Sequence, residues 1–310
     1  MPMLRPIKPG STIAVIAPAF PPDAQKLAQG IHYLKDLGYH IIEGQSLTAS
    51  EKYFAGSDAL RADEINRCFA DAQVDAVFCA RGGWGTLRYL DKLDYQTIRQ
   101  NPKALVGYSD ITTLQLAIWQ KAQVPSVSGP MVAVEMGSGI LPFTEQHFWG
   151  QIQNDAPEYT FQFDCHSEVE VWHKGTARGA LVGGCLSMVA HQLGTPYMPD
   201  VTGSILFLED VGEAPYKIDR YLAQLYQAGI FERINGLVLG QFIDCEDDTP
   251  SRAHVTVRDI LQDYFGRVSF PVVFNFPYGH GMRKFSMPVG VKAELAADAC
   301  VLTVENPFFH

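Results

Sequence analysis

No apolar run in this chain of 310 residues approaches the roughly 18 needed to cross a bilayer, so a membrane-embedded protein is not expected. Positive charge is also scarce. The 24 Lys and Arg stand against 34 Asp and Glu, a formal charge of −10, which argues against a nucleic-acid partner. The six cysteines (Cys68, Cys79, Cys165, Cys185, Cys245 and Cys300) are scattered without a C-x-x-C pair. In a chain of this size that pattern predicts reduced, mostly buried thiols rather than a disulfide framework. The opening M-P-M-L-R-P-I-K-P-G has no apolar core, and its prolines break a helix, so a secretory signal is not expected either. These absences together predict a cytoplasmic protein. Low-complexity tracts and internal repeats are missing as well.

What is present reads as an α/β protein of two domains, since 310 residues exceed one ordinary core. Short β-branched or apolar runs alternate with helical patterns through the first half. T-I-A-V-I-A (residues 12–17) is a strand, 23–37 a helix closed by Gly38, 58–72 a second helix, and V-D-A-V-F-C-A (74–80) a strand that stops at R-G-G-W-G. A-L-V-G then meets a serine and a helix running to about Ala122. Apolar strands separated by helices predict a parallel sheet covered on both faces. Residues 158–172 instead alternate in the manner of antiparallel hairpins, and the junction is placed there. We expect one domain over residues 1–160 and a smaller α/β domain over 161–310, with strands at 203–208 and 237–240, helices at 216–228 and 253–265, and a terminal hairpin turning at Ala297-Asp298.

Ligands of open α/β sheets bind beyond the carboxyl ends of the strands. Two loops of the first half lie at such ends. R-G-G-W-G (Arg81 to Gly85) matches neither a Walker A motif nor G-x-G-x-x-G, but its glycines let backbone N–H groups approach a ligand closely. At the G-Y-S-D corner, Ser109 has two readings: a cap for the following helix, or a nucleophile lifted clear of the sheet on a tight turn. The corner departs from G-x-S-x-G, with Ile111 where the second glycine would fall, so an ordinary α/β-hydrolase is disfavoured.

A serine nucleophile needs a base and a carboxylate to orient it. Of nine histidines, His32, His147 and His191 lie in helical patterns, His40 begins a strand, His166, His173 and His254 sit in polar surroundings, and His310 is terminal. His280 differs: F-P-Y-G-H-G presents it on a Pro/Gly loop just after a strand. In L-F-L-E-D-V-G-E-A-P-Y, Glu209 and Asp210 fall where an apolar strand ends. Glu213 is the natural helix cap ahead of Pro215, which leaves Glu209 for other work. The acidic loop Asp244–Asp248 lacks EF-hand spacing and reads as a solvated loop. No metal or other cofactor is expected.

These same segments carry a family likeness. P-G-S-T-I-A-V-I-A-P, A-R-G-G-W-G-T, V-G-Y-S-D-I-T-T-L, G-A-L-V-G-G-C-L, L-G-T-P-Y, L-F-L-E-D-V-G-E-A-P-Y-K-I-D-R and F-P-Y-G-H-G follow one another along nearly the whole chain, which resembles the LD-carboxypeptidase family of serine peptidases. The resemblance implies a flavodoxin-like first domain, similar to class I amidotransferases, and a C-terminal α/β domain, often in a homodimer. It implies Ser109 as nucleophile, His280 as general base and Glu209 as its orienting acid. The Asp110 amide and one from Gly82-Gly83 would form the oxyanion hole, with Arg81 and Trp84 as substrate-binding candidates. Arg81 can equally be a structural ion-pair residue. Cys185 departs from the Asn expected in G-G-C-L. The implied reaction is release of terminal D-alanine from a murein tetrapeptide during cell-wall recycling, without metal or nucleotide. The family also holds microcin-immunity hydrolases that cleave aminoacyl-nucleotide conjugates, and a non-catalytic ligand-binding relative is the remaining alternative.

Overall fold

The computed structural model describes residues 2–165, 169–246 and 255–309. The first half alternates strictly: β1 (Thr12–Ile16), α1 (Ala24–Asp36), β2 (His40–Glu43), α2 (Asp58–Ala70), β3 (Ala76–Cys79), α3 (Tyr95–Gln100), β4 (Ala104–Val106), α4 (Ile111–Ala122), β5 (Ser126–Ser128) and α5 (Pro142–Ile152). The second half continues with β6 (Glu158–Gln162), β7 (Glu170–His173), β8 (Thr176–Cys185), α6 (Leu186–Gln192), β9 (Ile205–Val211), α7 (Pro215–Gln227), β10 (Gly236–Ile243), α8 (Val257–Phe265), β11 (Val272–Phe274), β12 (Met287–Val289), β13 (Lys292–Ala296) and β14 (Val301–Glu305).

Six strands form the first sheet in the order β12-β5-β4-β3-β1-β2. All neighbours are parallel except β12, which runs antiparallel to β5. Without β12 the order is 2-1-3-4-5, the flavodoxin-like arrangement, and the order reverses between β1 and β3. Buried strands on both faces explain why these segments are continuous apolar runs: Ala76–Cys79 and Ala104–Val106 are buried at every position. Polar residues mark the helix starts instead. Asp23 accepts from the Lys26 N–H and Ser57 from the Leu60 N–H, each satisfying an orphan donor.

The second sheet has eight strands in the order β6-β14-β13-β8-β9-β10-β11-β7. Its centre, β8 to β11, is parallel, with antiparallel strands on both flanks. The expected terminal hairpin is β13–β14, turning through a single 3-10 turn at Ala297–Ala299. Since β12 belongs to the first sheet, the chain crosses back between the sheets after residue 274.

Three expectations need correction. The thiols are not all reduced: Cys165 and Cys300 form a disulfide, while Cys68, Cys79, Cys185 and Cys245 are free and buried. Pairing of β14 with β6 brings the two cysteines together, with the Phe163 N–H donating to the Cys300 carbonyl at 3.1 Å. Their Cα atoms stand 5.9 Å apart, inside disulfide reach. The thiol pattern therefore gives no argument for a reducing compartment. Next, β9 runs on through Glu209 and Asp210 instead of stopping before them. Finally, α7 has Ala214 at its N-cap with no side-chain cap; Glu213 pairs with Lys217 at 3.1 Å. Pro215 in the first helical turn brings a pre-set helical φ and one fewer orphan N–H. Asp247 and Asp248 of the acidic loop, and His166, His254 and His310, lie outside the described residues. Among the described residues no helix is long and apolar enough to cross a membrane.

Candidate active site

The corner at Ser109 is a strained one. Its φ is 66°, a left-handed backbone that L-residues other than Asn, Asp and Gly seldom adopt. Helix α4 then begins with Asp110 at its N-cap and no side-chain cap, so Ser109 does not cap it. The turn is held by backbone bonds, from the Ile111 N–H to the Tyr108 carbonyl at 3.3 Å and from the Thr112 N–H to the Ser109 carbonyl at 2.9 Å. Ser109 is left half-exposed at the carboxyl end of β4, its hydroxyl without a hydrogen-bond partner among the described residues.

The Arg81–Gly85 loop leaves β3 beside it. A Cβ added to Gly82 would stand 2.9 Å from the Ser109 Cβ and 3.1 Å from its Oγ, so only glycine allows this approach. Asp110 fastens the loop from the other side. Its buried carboxylate accepts the Thr86 N–H at 3.0 Å, and its carbonyl accepts the Thr86 hydroxyl at 2.8 Å. Burial pushes the Asp110 carboxyl up to about 6, against the hydrogen bonds from Thr86 and Gly85. None of the Asp110, Gly82 and Gly83 amides donates to a backbone carbonyl in the turns and loops among the described residues, and Gly82 is the one of the three whose close approach to the Ser109 side chain is seen directly.

His280 and Glu209 come from the second half. Glu209 sits on β9, fully buried, and accepts the His280 Nδ1–H on Oε2 at 2.7 Å. That bond leaves Nε2 as the nitrogen with a free lone pair. The approach again needs glycine, since a Cβ on Gly279, at φ +114°, would stand 2.5 Å from Glu209 Oε2. The loop carrying His280 is pinned to β10 by the Phe276 N–H on the Leu239 carbonyl and the Gln241 N–H on the Tyr278 carbonyl, both 3.0 Å. It reaches the first sheet too, where the Tyr278 hydroxyl meets Ser128 Oγ at 2.7 Å. The His280 ring packs edge-on against Tyr108, the residue before Ser109, at 4.9 Å between centroids. Serine corner and histidine loop thus meet where the two sheets abut.

Behind Glu209, Asp210 is buried and accepts the Ser187 N–H at 2.8 Å and the Val211 N–H at 2.9 Å. Burial, then the neighbouring Glu209 charge, raises its carboxyl to about 6. Cys185 takes a structural place here. Its amide donates to Thr112 Oγ1 on α4 at 3.1 Å, and its thiol donates to Asp210 Oδ1 at 3.4 Å.

Arg81 is half-buried with its guanidinium 5.7 Å over the Phe20 ring. Among the described residues no carboxylate lies within ion-pair distance of it, so the structural ion-pair reading has no support. Trp84 turns toward the second half, edge-on to His191 at 5.9 Å, and His191 in turn meets Tyr221. Burial draws His191 below the ordinary histidine range, opposed by the Glu213 charge. The residues that sequence reasoning passed over are Tyr108, Glu135 and Lys284. The one available signal for Glu135 is that it is the single charge inside the apolar run V-A-V-E-M, whereas nothing near Lys284 marks it.

Two family models match, the LD-carboxypeptidase N-terminal domain over residues 13–129 and its C-terminal domain over residues 178–295. The chain belongs to the LD-carboxypeptidase family. Within the family, it is 36% identical to the "probable murein peptide carboxypeptidase" of Bacillus subtilis, over 92% of this chain and 89% of that one. A crystal structure of the muramoyltetrapeptide carboxypeptidase of Oxalobacter formigenes superposes with a TM-score of 0.82 at 32% identity, covering 95% of this chain and 98% of its own. The microcin C7 self-immunity protein MccF has the same fold, with a TM-score of 0.90 at 21% identity over 99% of each chain.

Proposed function

We propose that this LD-carboxypeptidase family member is a serine carboxypeptidase that releases terminal D-alanine from a murein tetrapeptide. Ser109 serves as the nucleophile from a unit of residues 1–160, and Glu209 and His280 as acid and base from a unit of residues 161–310. His280 Nε2 takes the Ser109 proton as Oγ attacks the scissile carbonyl, and Glu209 stabilises the imidazolium that forms. The oxyanion is received by the Asp110 amide and one from Gly82 or Gly83. The imidazolium then protonates the departing D-alanine amine, and water, activated by the same histidine, hydrolyses the acyl-enzyme.

The observation that carries this reading is Ser109 at φ 66° against the Gly82 loop, with the His280–Glu209 pair packed on the adjoining Tyr108. Arg81, without a carboxylate partner, is suited to the free carboxylate of the leaving residue, a buried anion that needs a cation or aligned donors. Trp84 would line the same cleft. The names of the Bacillus and Oxalobacter relatives support the murein substrate, while the MccF likeness is one of fold. A cytoplasmic homodimer belongs to the same proposal and rests on the family resemblance, and the expectation of no nucleic-acid partner rests on the formal charge of −10.

The test offers three substrates side by side, followed by mass spectrometry: a free tetrapeptide (L-Ala, D-Glu, a diamino acid, D-Ala), the pentapeptide ending in D-Ala-D-Ala, and an aminoacyl-nucleotide conjugate. Of the three, only the tetrapeptide should release D-alanine. The terminal bond of the pentapeptide joins two D-centres, and its inner bond has no free carboxylate in place. Cleavage of that terminal bond would remove the LD assignment, and preference for the conjugate would move the protein to the immunity branch.

A further inference from the structure

A buried lysine meets a half-buried glutamate where the sheets adjoin. Lys284 is 3% exposed, and its Nζ donates to Glu135 Oε1 at 2.5 Å. The same oxygen accepts the Tyr108 hydroxyl at 2.8 Å, and Glu135 Oε2 accepts the Met131 N–H at 2.9 Å. Nζ also stands 4.2 Å over the Tyr108 ring, which packs against His280 in a T-shaped contact. Burial, reinforced by the Glu135 charge, raises the Tyr108 phenol well above its ordinary range, so it stays a hydrogen-bond donor.

A buried ion pair is weak evidence for stability, because desolvation offsets much of the attraction and apolar side chains would fill the space as well. Its connections are more informative. Lys284 ends the loop that carries His280, and its own amide donates to Thr144 Oγ1 of α5 at 3.1 Å. The Phe285 N–H closes that loop onto the Pro277 carbonyl at 2.7 Å. Glu135 lies in a single π-turn, Val132–Met136, of the first half, a local distortion that recurs at functional sites. Tyr108 adjoins Ser109. The pair therefore spans from the base-bearing loop to the serine corner through one tyrosine.

We propose that Glu135, Lys284 and Tyr108 are positioning residues that set the His280 ring against Ser109 across the junction of the two sheets. None of the three touches the reacting atoms in this role; they fix where the base stands. The proposal rests on the triad reading above, and its test separates the two. Turnover and KM on the murein tetrapeptide are measured for wild type, Ser109→Ala, Tyr108→Phe and the charge-neutral double variant Glu135→Gln/Lys284→Met, each with its melting temperature.

Replacing both charges by neutral near-isosteres avoids an unpaired buried charge, so the double variant should melt close to wild type. Its kcat should fall about 10- to 100-fold with KM within about threefold, the signature of a misplaced base and not of lost binding. Tyr108→Phe keeps the ring on His280 and removes only the bond to Glu135; its kcat should fall about three- to tenfold at unchanged KM. Should the double variant fail to fold, Tyr108→Phe decides alone. If Ser109→Ala is inactive while Tyr108→Phe and the double variant turn over as wild type, the positioning role is refuted and the triad stands. An active Ser109→Ala would remove both.

Discussion

Ser109 sits in a backbone conformation that costs a non-glycine residue roughly 1–3 kcal/mol, and such strain persists where surrounding bonds over-determine it. Here the α4 start and the Asp110–Thr86 bonds supply that constraint. The pairing of His280 with a fully buried Glu209 follows the same logic, because an unpaired carboxylate at that position would be costly. Two substitutions should therefore differ in severity. His280→Ala should lower kcat about a million-fold, as loss of a triad base does, and Glu209→Gln about ten-thousand-fold, since that group orients and stabilises. Steady-state kinetics on purified variants checks the order; equal, mild losses would contradict the assigned roles.

The loops that bring these groups together depend on missing side chains. Gly82→Ala should push the Gly82-Gly83 loop away from Ser109, because its new Cβ would stand 2.9 Å from the serine Cβ. Displacing one oxyanion donor should cost about 10²- to 10³-fold in kcat with little change in melting temperature. A Gly82→Ala enzyme of wild-type turnover would show that this loop does not serve the oxyanion. The elements themselves were legible wherever burial on both faces makes a strand continuously apolar, as in β3 and β4. The end of β9 was misplaced for the same reason in reverse: Glu209 and Asp210 look like a loop to a hydropathy pattern, yet His280, Ser187 and Val211 pair them inside the sheet. The Cys165–Cys300 bridge and the Lys284–Glu135 pair were invisible because each joins segments more than 130 residues apart, through sheet order that no local pattern encodes. The proposed triad was read from a serine on a corner, a histidine between glycines and a family likeness, and spacing alone contributed nothing to it.

Across the whole molecule, burying carboxylates near the junction links stability to pH. Asp110, held at about 6 when folded by burial, reverts to about 3.9 when unfolded. The folded chain therefore keeps a proton that the unfolded chain releases between those values, and stability falls as pH rises through that window and stays low above it. Asp210 acts in the same direction, whereas His147 and His191, depressed by burial, favour the folded state at higher pH. The Asp110→Asn variant isolates the first contribution. Relative to wild type it should gain about 1 kcal/mol more at pH 7.5 than at pH 5, read by denaturant unfolding at the two pH values. A difference independent of pH would mean that Asp110 is ionised throughout. At this scale the proposed reaction would draw on both sheets, with the nucleophile and its amides from the first and the base and its carboxylate from the second. The most direct test of that claim is D-alanine release from a murein tetrapeptide by wild type and by Ser109→Ala at equal folded concentration. The account predicts release by wild type and a loss on the order of a million-fold in the variant, with unchanged melting temperature; a variant retaining a tenth of the wild-type rate would contradict it.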